Sequence, residues 1–264
     1  RLMGFLQKNG VDTSFILRSS APSTLAFVER TPQTNRYAFY TRGSADATWS
    51  PEPLPQLPAQ CRFLHFGSIS LLQDPAATRI ADLVAANRGQ RVVVFDPNVR
   101  PSLITDMAAY RQRVAGWFGM ADLVKLSDED AALLAPGQPV DALAADCLAA
   151  GARAVIVTRG GDGATLWRDG RAPITVAAPR VEVVDTIGAG DTFTAGLSVS
   201  LLAHGVERPE QLGELGDDAW REVMAFAATA AALNCTREGA DPPTLEAVHA
   251  ALAKEENTAV ASRS

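Results

Sequence analysis

Asp191 lies three residues past Gly188 in the string Asp185-Thr186-Ile187-Gly188-Ala189-Gly190-Asp191-Thr192-Phe193, which follows the apolar pair Val183-Val184. The pattern reads as a strand end, a turn of small residues and the first turn of a helix over 188–203. Glycines at 188 and 190 let the backbone approach a ligand closely and point free N–H groups at it, which suits a phosphate or a developing negative charge. A carboxylate at the edge of such a hole can accept a proton from an attacking hydroxyl. The amides of Gly188, Ala189, Gly190 and Asp191 would meanwhile hold the migrating charge. The plainer alternative is that Asp191 only complements the positive end of the helix dipole.

Four other stretches carry groups of interest. Asp96-Pro97-Asn98-Val99-Arg100 follows the apolar run Val92–Phe95. Arg100 there supplies a planar donor fork for phosphate or a sugar oxygen, and Asp96 and Asn98 present oxygens to the same cleft. A turn with a solvated Arg would explain the same residues. Lys125-Leu126-Ser127-Asp128-Glu129-Asp130 places three acids at a helix start, where capping by Ser127 and Asp130 is sufficient explanation. Thr158-Arg159-Gly160-Gly161-Asp162-Gly163 is either a loop whose glycines let backbone pass near phosphates or a tight turn between strands. Tyr40 and Arg42 are two residues apart, so on one strand they share a face. His65 sits in a buried-looking strand without an evident partner and reads as structural.

The elements that must position these groups follow an alternating pattern. Strands at 63–66, 92–95, 123–126 and 154–158 alternate with helices near 75–87, 106–118 and 139–150, which implies a parallel sheet. Strands at 164–167 and 174–177 follow closely, then helices over 188–203, 217–233 and 244–253. In such open sheets ligands lie beyond the carboxyl ends of the strands, which here means just after Phe95, Leu126, Thr158 and Val184. Ahead of this core, 24–29 and 36–41 read as two strands joined by a hairpin loop at 31–35, a small β appendage. A Pro-rich connector over 50–58 separates the two. The expected division is a core of 1–19 plus 50–264 and a β lid of 20–49. The opening stretch reads as the end of a helix stopped by Gly10, so N-terminal residues are expected to be missing.

A chain of 264 residues supports one large α/β domain with a small appendage. Its 24 basic and 30 acidic residues give a formal charge of −6, which excludes nucleic-acid binding through a broad basic face. Cys61, Cys147 and Cys235 show no metal-type spacing and read as reduced thiols, and no apolar run is long enough to span a bilayer, so the expected location is the cytoplasm. No G-x-G-x-x-G follows a first strand, which sets aside a dinucleotide oxidoreductase.

Asp185-Thr186-Ile187-Gly188-Ala189-Gly190-Asp191 resembles the D-T-x-G-A-G-D signature of ribokinase-like (pfkB-type) carbohydrate kinases. Asp96–Arg100 resembles the D-x-N-x-R segment of fructokinases and 2-keto-3-deoxygluconate kinases, and His65-Phe66-Gly67-Ser68-Ile69-Ser70-Leu71 resembles a fructokinase strand. The resemblance implies a ribokinase-like fold, a mostly parallel sheet flanked by helices with a small β lid. It makes Asp191 the base and gives the anion hole to Gly188 through Asp191. It assigns the nucleotide to Lys125, the Thr158, Gly160 and Gly163 loop, and Asn234 with Gly239, and it assigns the sugar to Tyr40, Arg42 and Arg100. At the family's N-x-x-E motif this chain has Ser127 and Asp130, a departure that leaves Asp130 able to reach Mg²⁺ only through water. The cofactors implied are ATP and Mg²⁺, with a monovalent cation such as K⁺ left open, and a lid-to-lid homodimer is implied as well.

These readings converge on phosphorylation of fructose at its primary hydroxyl. A 2-keto-3-deoxygluconate kinase is the alternative, because Arg42 and Arg100 also suit a substrate carboxylate. A non-catalytic sugar or nucleotide sensor is the third reading.

Overall fold

The computed structural model describes residues 2–30 and 35–261, so residues 31–34 of the expected hairpin loop lie outside the described residues. A short helix, α1 (Leu2–Lys8), precedes two antiparallel strands, β1 (Leu25–Arg30) and β2 (Asn35–Tyr40), paired from Leu25 opposite Tyr40 to Arg30 opposite Asn35. They form a sheet of their own.

The larger sheet has six strands in simple sequence order. It is built from β3 (Phe63–Gly67), α2 (Ala76–Asn87), β4 (Val92–Asp96), α3 (Met107–Phe118), β5 (Leu123–Ser127), α4 (Asp128–Leu134), α5 (Val140–Ala150) and β6 (Ala154–Thr158). These four strands are parallel, as strand-to-strand connections long enough to hold a helix require. Only residues 159–163 separate β6 from β7 (Ala164–Trp167), too few for a crossover, so β7 and then β8 (Ile174–Val176) add antiparallel. The sheet is therefore mixed, parallel in its first four strands.

Both faces are covered, which explains the continuous apolar runs. Val92, Val93, Val94 and Phe95 of β4 are all fully buried. Val93, Phe95, Val124, Leu126, Val155 and Val157 face one core, shared with α2, α3 and α5. Val92, Val94, Leu123, Ile156 and Leu166 face the other, closed by α6 (Ala189–Ala203) and, beyond the short α7 (Gln211–Glu214), α8 (Asp217–Cys235). Fully burying one such side chain contributes roughly 1.5–3 kcal/mol. Helices α6 and α8 touch closely at Gly196, where an added Cβ would lie 2.9 Å from the Ala227 Cα. The last helix, α9 (Leu245–Ala261), runs farther than its sequence pattern predicts.

One expected strand end is absent. Residues 177–187 are irregular, and Val183 and Val184 are each 60% exposed. Among the described residues this segment pairs with no strand. It is held instead by the Val184 and Asp185 N–H groups, which donate to the Cys235 carbonyl at the end of α8 at 2.8 and 3.2 Å.

Candidate active site

At the carboxyl ends of β3 and β4, beside the tip of α6, lies a cavity of about 220 Å³. Asp96, Asn98 and Asp191 line it together with His65, Ser68 and Ser70. Its walls are polar because each strand stops at a turn: the chain must leave the sheet here, and backbone and short polar side chains face the opening.

The turn into α6 is shaped by glycine. Gly188 is the N-cap, at φ 80°, ψ 0°, with no side chain to close the helix end. An added Cβ would sit 2.9 Å from the Ala240 Cβ, so conformation and space both require glycine. Thr192 N–H makes the first helical bond, to the Gly188 carbonyl at 2.8 Å, and Ala189 N–H bonds the Thr186 carbonyl at 3.2 Å. The expected hole is thus narrower than four amides, because that of Ala189 is taken. Asp191 is exposed at the third helical position, on the cavity wall.

Beneath this tip lies a buried charge pair. Lys125 Nζ donates to Asp96 Oδ2 at 2.9 Å, with side-chain exposures of 5% and 4%. The same ammonium would be 3.2 Å from a Cβ added to Gly190, so it lies directly under the first turn of α6. Asp96 Oδ1 accepts the Asn98 N–H at 3.1 Å. One carboxylate therefore links the lysine to the turn after β4. Gly67, at the end of β3, presses on that strand so closely that a Cβ would be 1.8 Å from the Asp96 carbonyl oxygen. The next residue, Ser68, and its neighbour across the cleft, Asn98, have φ of 57° and 36°, a conformation that side chains rarely adopt and that concentrates at functional sites.

Other expected residues are placed differently. Asn234, expected beside the nucleotide, is fully buried in α8. Its Nδ2 donates to the Ile187 carbonyl at 2.8 Å and its Oδ1 accepts from Thr192 Oγ1 at 3.3 Å, so it braces the signature turn and cannot reach a ligand. Gly163 is buried too, with the Val176 carbonyl oxygen 2.0 Å from where its Cβ would be; it serves strand packing, while Gly160 is exposed. Thr158 Oγ1 points back to the Leu126 carbonyl at 3.5 Å. Asp130, expected to reach a metal through water, accepts the Val99 N–H at 2.7 Å and the Ser127 N–H at 3.0 Å, closing a capping box. Strand β2 ends at Tyr40, so Arg42 falls in the following turn and the shared-face expectation fails. Tyr40 packs edge-on against Phe27 at 5.7 Å. Arg100 does not line the cavity, and its Nη1 donates to the Val99 carbonyl at 3.2 Å.

Two residues take places that the sequence did not assign to them. Asp185 is buried and joins the signature to the loop after α8. One oxygen accepts the Ile187 N–H at 3.1 Å and the other the Gly239 N–H at 2.9 Å. Its position two residues before Ile187 is the spacing of an Asx turn, a signal that could have found it. His65, expected to be a core residue, is exposed and faces the cavity. Surrounding protein lowers its pKa by desolvation, opposed by the carboxylates of Asp96 and Asp191 and reinforced by Lys125.

Comparison with known proteins decides the family. The sequence pattern of the pfkB family carbohydrate kinases matches residues 1–247. The chain belongs to the pfkB family of carbohydrate kinases. Similar proteins include the fructokinase of Rhizobium leguminosarum bv. trifolii, 38% identical over 220 residues, which are 83% of this chain and 67% of that one. The fructokinase of Klebsiella pneumoniae is 34% identical over 247 residues, 89% of this chain and 75% of that one. Among solved structures, fructokinase with bound ATP from Xylella fastidiosa superposes with a TM-score of 0.85 at 24% identity, covering 97% of this chain and 81% of that one. Aminoimidazole riboside kinase from Salmonella enterica, complexed with aminoimidazole riboside and an ATP analog, gives 0.75 at 25% identity over 90% and 76%. The kinase fold is thus ribokinase-like. Among the described residues no helix is long and apolar enough to cross a membrane, and no three His, Cys, Asp or Glu side chains gather to hold a metal ion.

Proposed function

We propose that this sugar kinase transfers the γ-phosphoryl group of ATP to the primary hydroxyl of fructose, giving fructose 6-phosphate. The observation that carries the reading is the polar cavity between Asp96, Asn98 and Asp191 at the uncapped start of α6. Similar proteins include fructokinases.

In this reading Asp191 accepts the proton as the sugar oxygen attacks in line. The N–H groups of Gly188, Gly190 and Asp191 face the transferring charge, and the helix dipole adds to them. Lys125, fixed under Gly190 by Asp96, supplies positive charge that costs no reorganisation during the reaction. The turn at Gly160 and the loop at Gly239 flank the nucleotide. Mg²⁺ neutralises phosphate charge when it accompanies ATP. The described side chains do not make a resident site for it, since Asp130 is committed to backbone N–H groups.

The sheet of β1 and β2 closes the sugar side as a lid, its base tied to the core by Gln73 Nε2 donating to Thr41 Oγ1 at 2.6 Å. Leu25 and Phe27 alternate onto one face of this sheet with Tyr40, which pairs opposite Leu25, and all three are more than half exposed. An apolar face of this kind fits a homodimer formed lid to lid.

The test is coupled ADP release with ATP and Mg²⁺, with and without K⁺, against fructose, ribose, adenosine and 2-keto-3-deoxygluconate. Turnover on fructose above the others supports the reading. Turnover on 2-keto-3-deoxygluconate alone replaces the substrate, and ATP binding without turnover on any of them replaces the enzyme with a sensor.

A further inference from the structure

The three histidines of this chain are placed very differently. His204 is engaged on both ring nitrogens, with the Ser200 carbonyl at 2.8 Å and Glu222 at 3.0 Å. His249 packs edge-on against Phe226 at 5.5 Å. His65 has no hydrogen bond to its ring among the described residues, and it is exposed on β3, facing the cavity that Asp191 borders.

Strand geometry explains its direction. In β3 the side chains alternate, so Leu64 and Phe66 turn to the core shared with α2 and α3. Phe63 and His65 turn to the face covered by α6, and His65 lies opposite Val94 of β4. That face ends at the tip of α6, which brings the imidazole into one cavity with Asp96, Asn98 and Asp191. Packing another Val or Ile here would extend the apolar layer; a ring with two nitrogens and no partner of its own has a different use.

We propose that His65 is a sugar-binding residue, its imidazole donating to one substrate hydroxyl and accepting from another. The inference rests on the sugar kinase reading above and adds a contact to it. A neutral imidazole carries one donor and one acceptor, which matches a polyhydroxylated ligand, whose hydroxyls do both. The groups facing the ring favour that form in balance. Desolvation and Lys125 hold its pKa down, while Asp96 and Asp191 pull it up. Ser70 nearby has its hydroxyl turned to the Gly67 carbonyl at 2.6 Å, so the imidazole is the freer of the two groups at this wall.

The test compares His65→Phe, which keeps a ring of similar size without the nitrogens, and His65→Gln, which restores a donor and an acceptor. Losing one or two such hydrogen bonds raises the KM for the sugar by about three- to tenfold each. The KM for ATP and the melting temperature stay at their wild-type values in His65→Phe, and His65→Gln recovers most of the sugar affinity. A wild-type sugar KM in His65→Phe overturns the proposal, as does a parallel rise in both KM values, which marks a structural role. The kinetics use whichever sugar the wild type phosphorylates, so a failure of fructose alone removes the substrate reading and leaves the role of His65 to be decided on the sugar that works. A wild type that turns over no sugar overturns both.

Discussion

Helices α4 and α6 start with an aspartate at the same place and put it to opposite ends. In α4 the N-cap is Ser127 and the third residue is Asp130; in α6 the N-cap is Gly188 and the third residue is Asp191. Ser127 Oγ accepts the Asp130 N–H at 3.0 Å, and Asp130 returns an oxygen to the Ser127 N–H at 3.0 Å. That helix end is satisfied internally, and its carboxylate is buried. Gly188 has no side chain to offer and turns left-handed, so no side chain caps α6, and the carboxylate of Asp191 stays exposed on the cavity wall. A single N-cap residue thus separates a closed structural end from an open one suited to a ligand. A glycine N-cap costs only about a few tenths of a kcal/mol relative to a Ser or Asp cap, so the helix end can stay without a capping side chain at little loss of stability.

The largest effect that tests this contrast is at the open end. Asp191→Asn keeps the shape and removes the proton acceptor. Turnover should fall about 10²- to 10⁴-fold while ATP affinity and thermal stability stay near wild type. Phosphoryl transfer at an undiminished rate would show that Asp191, like Asp130, only complements its helix.

The open end was legible in the sequence because its cause is local. Glycines at 188 and 190 and the acid at 191 are neighbours in the chain, and the strands that carry the cavity announce themselves through unbroken apolar runs such as Val92–Phe95. What failed depended on distant partners. Asn234 was expected beside the nucleotide; it is buried because α8 packs along α6 and brings it against Ile187 and Thr192, 47 and 42 residues away. Arg42 lost its place beside Tyr40 because β2 stops at Tyr40, two residues short of it, a boundary that alternation alone does not fix. His65 was misread because an apolar strand suggests burial of every side chain, whereas β3 is the edge strand of its sheet and His65 is exposed on it. Lys125 did carry a signal, since a lysine in the buried strand β5 demands a counter-charge, but only the pairing of β4 beside β5 identifies Asp96 as that partner.

The closed end gives the intermediate effect. Ser127→Ala removes the capping oxygen of α4 and should lower stability by about 1 kcal/mol, read as a fall of roughly 2–4 °C in melting temperature. Sugar and nucleotide KM values should stay within about twofold of wild type, since a lost cap of this size is a stability term. A large drop in turnover with unchanged stability would instead place the 127–130 turn in the chemistry and erase the distinction between the two helices.

The smallest effect lies at the other end of α6. There His204 is the C-cap residue, its ring held by the Ser200 carbonyl and by Glu222 of α8. The hydrogen bond to Ser200 first, and then Glu222, raise its pKa above the usual histidine value. A raised folded-state pKa means that the protonated ring stabilises the fold. That contribution is complete below about pH 6.5, the ordinary value for the unfolded chain, and is lost as pH rises through the folded-state value. Glu222 is largely exposed, so solvent screening keeps the effect to roughly 0.5 kcal/mol. Replacing His204 by Gln should therefore lower the melting temperature more in mild acid than in mild alkali. An equal loss at both pH values would show that the ring contributes by packing alone. The pH-dependent loss would show that the same helix is closed by a side-chain charge at its C-terminus while its N-terminus is left open for a ligand.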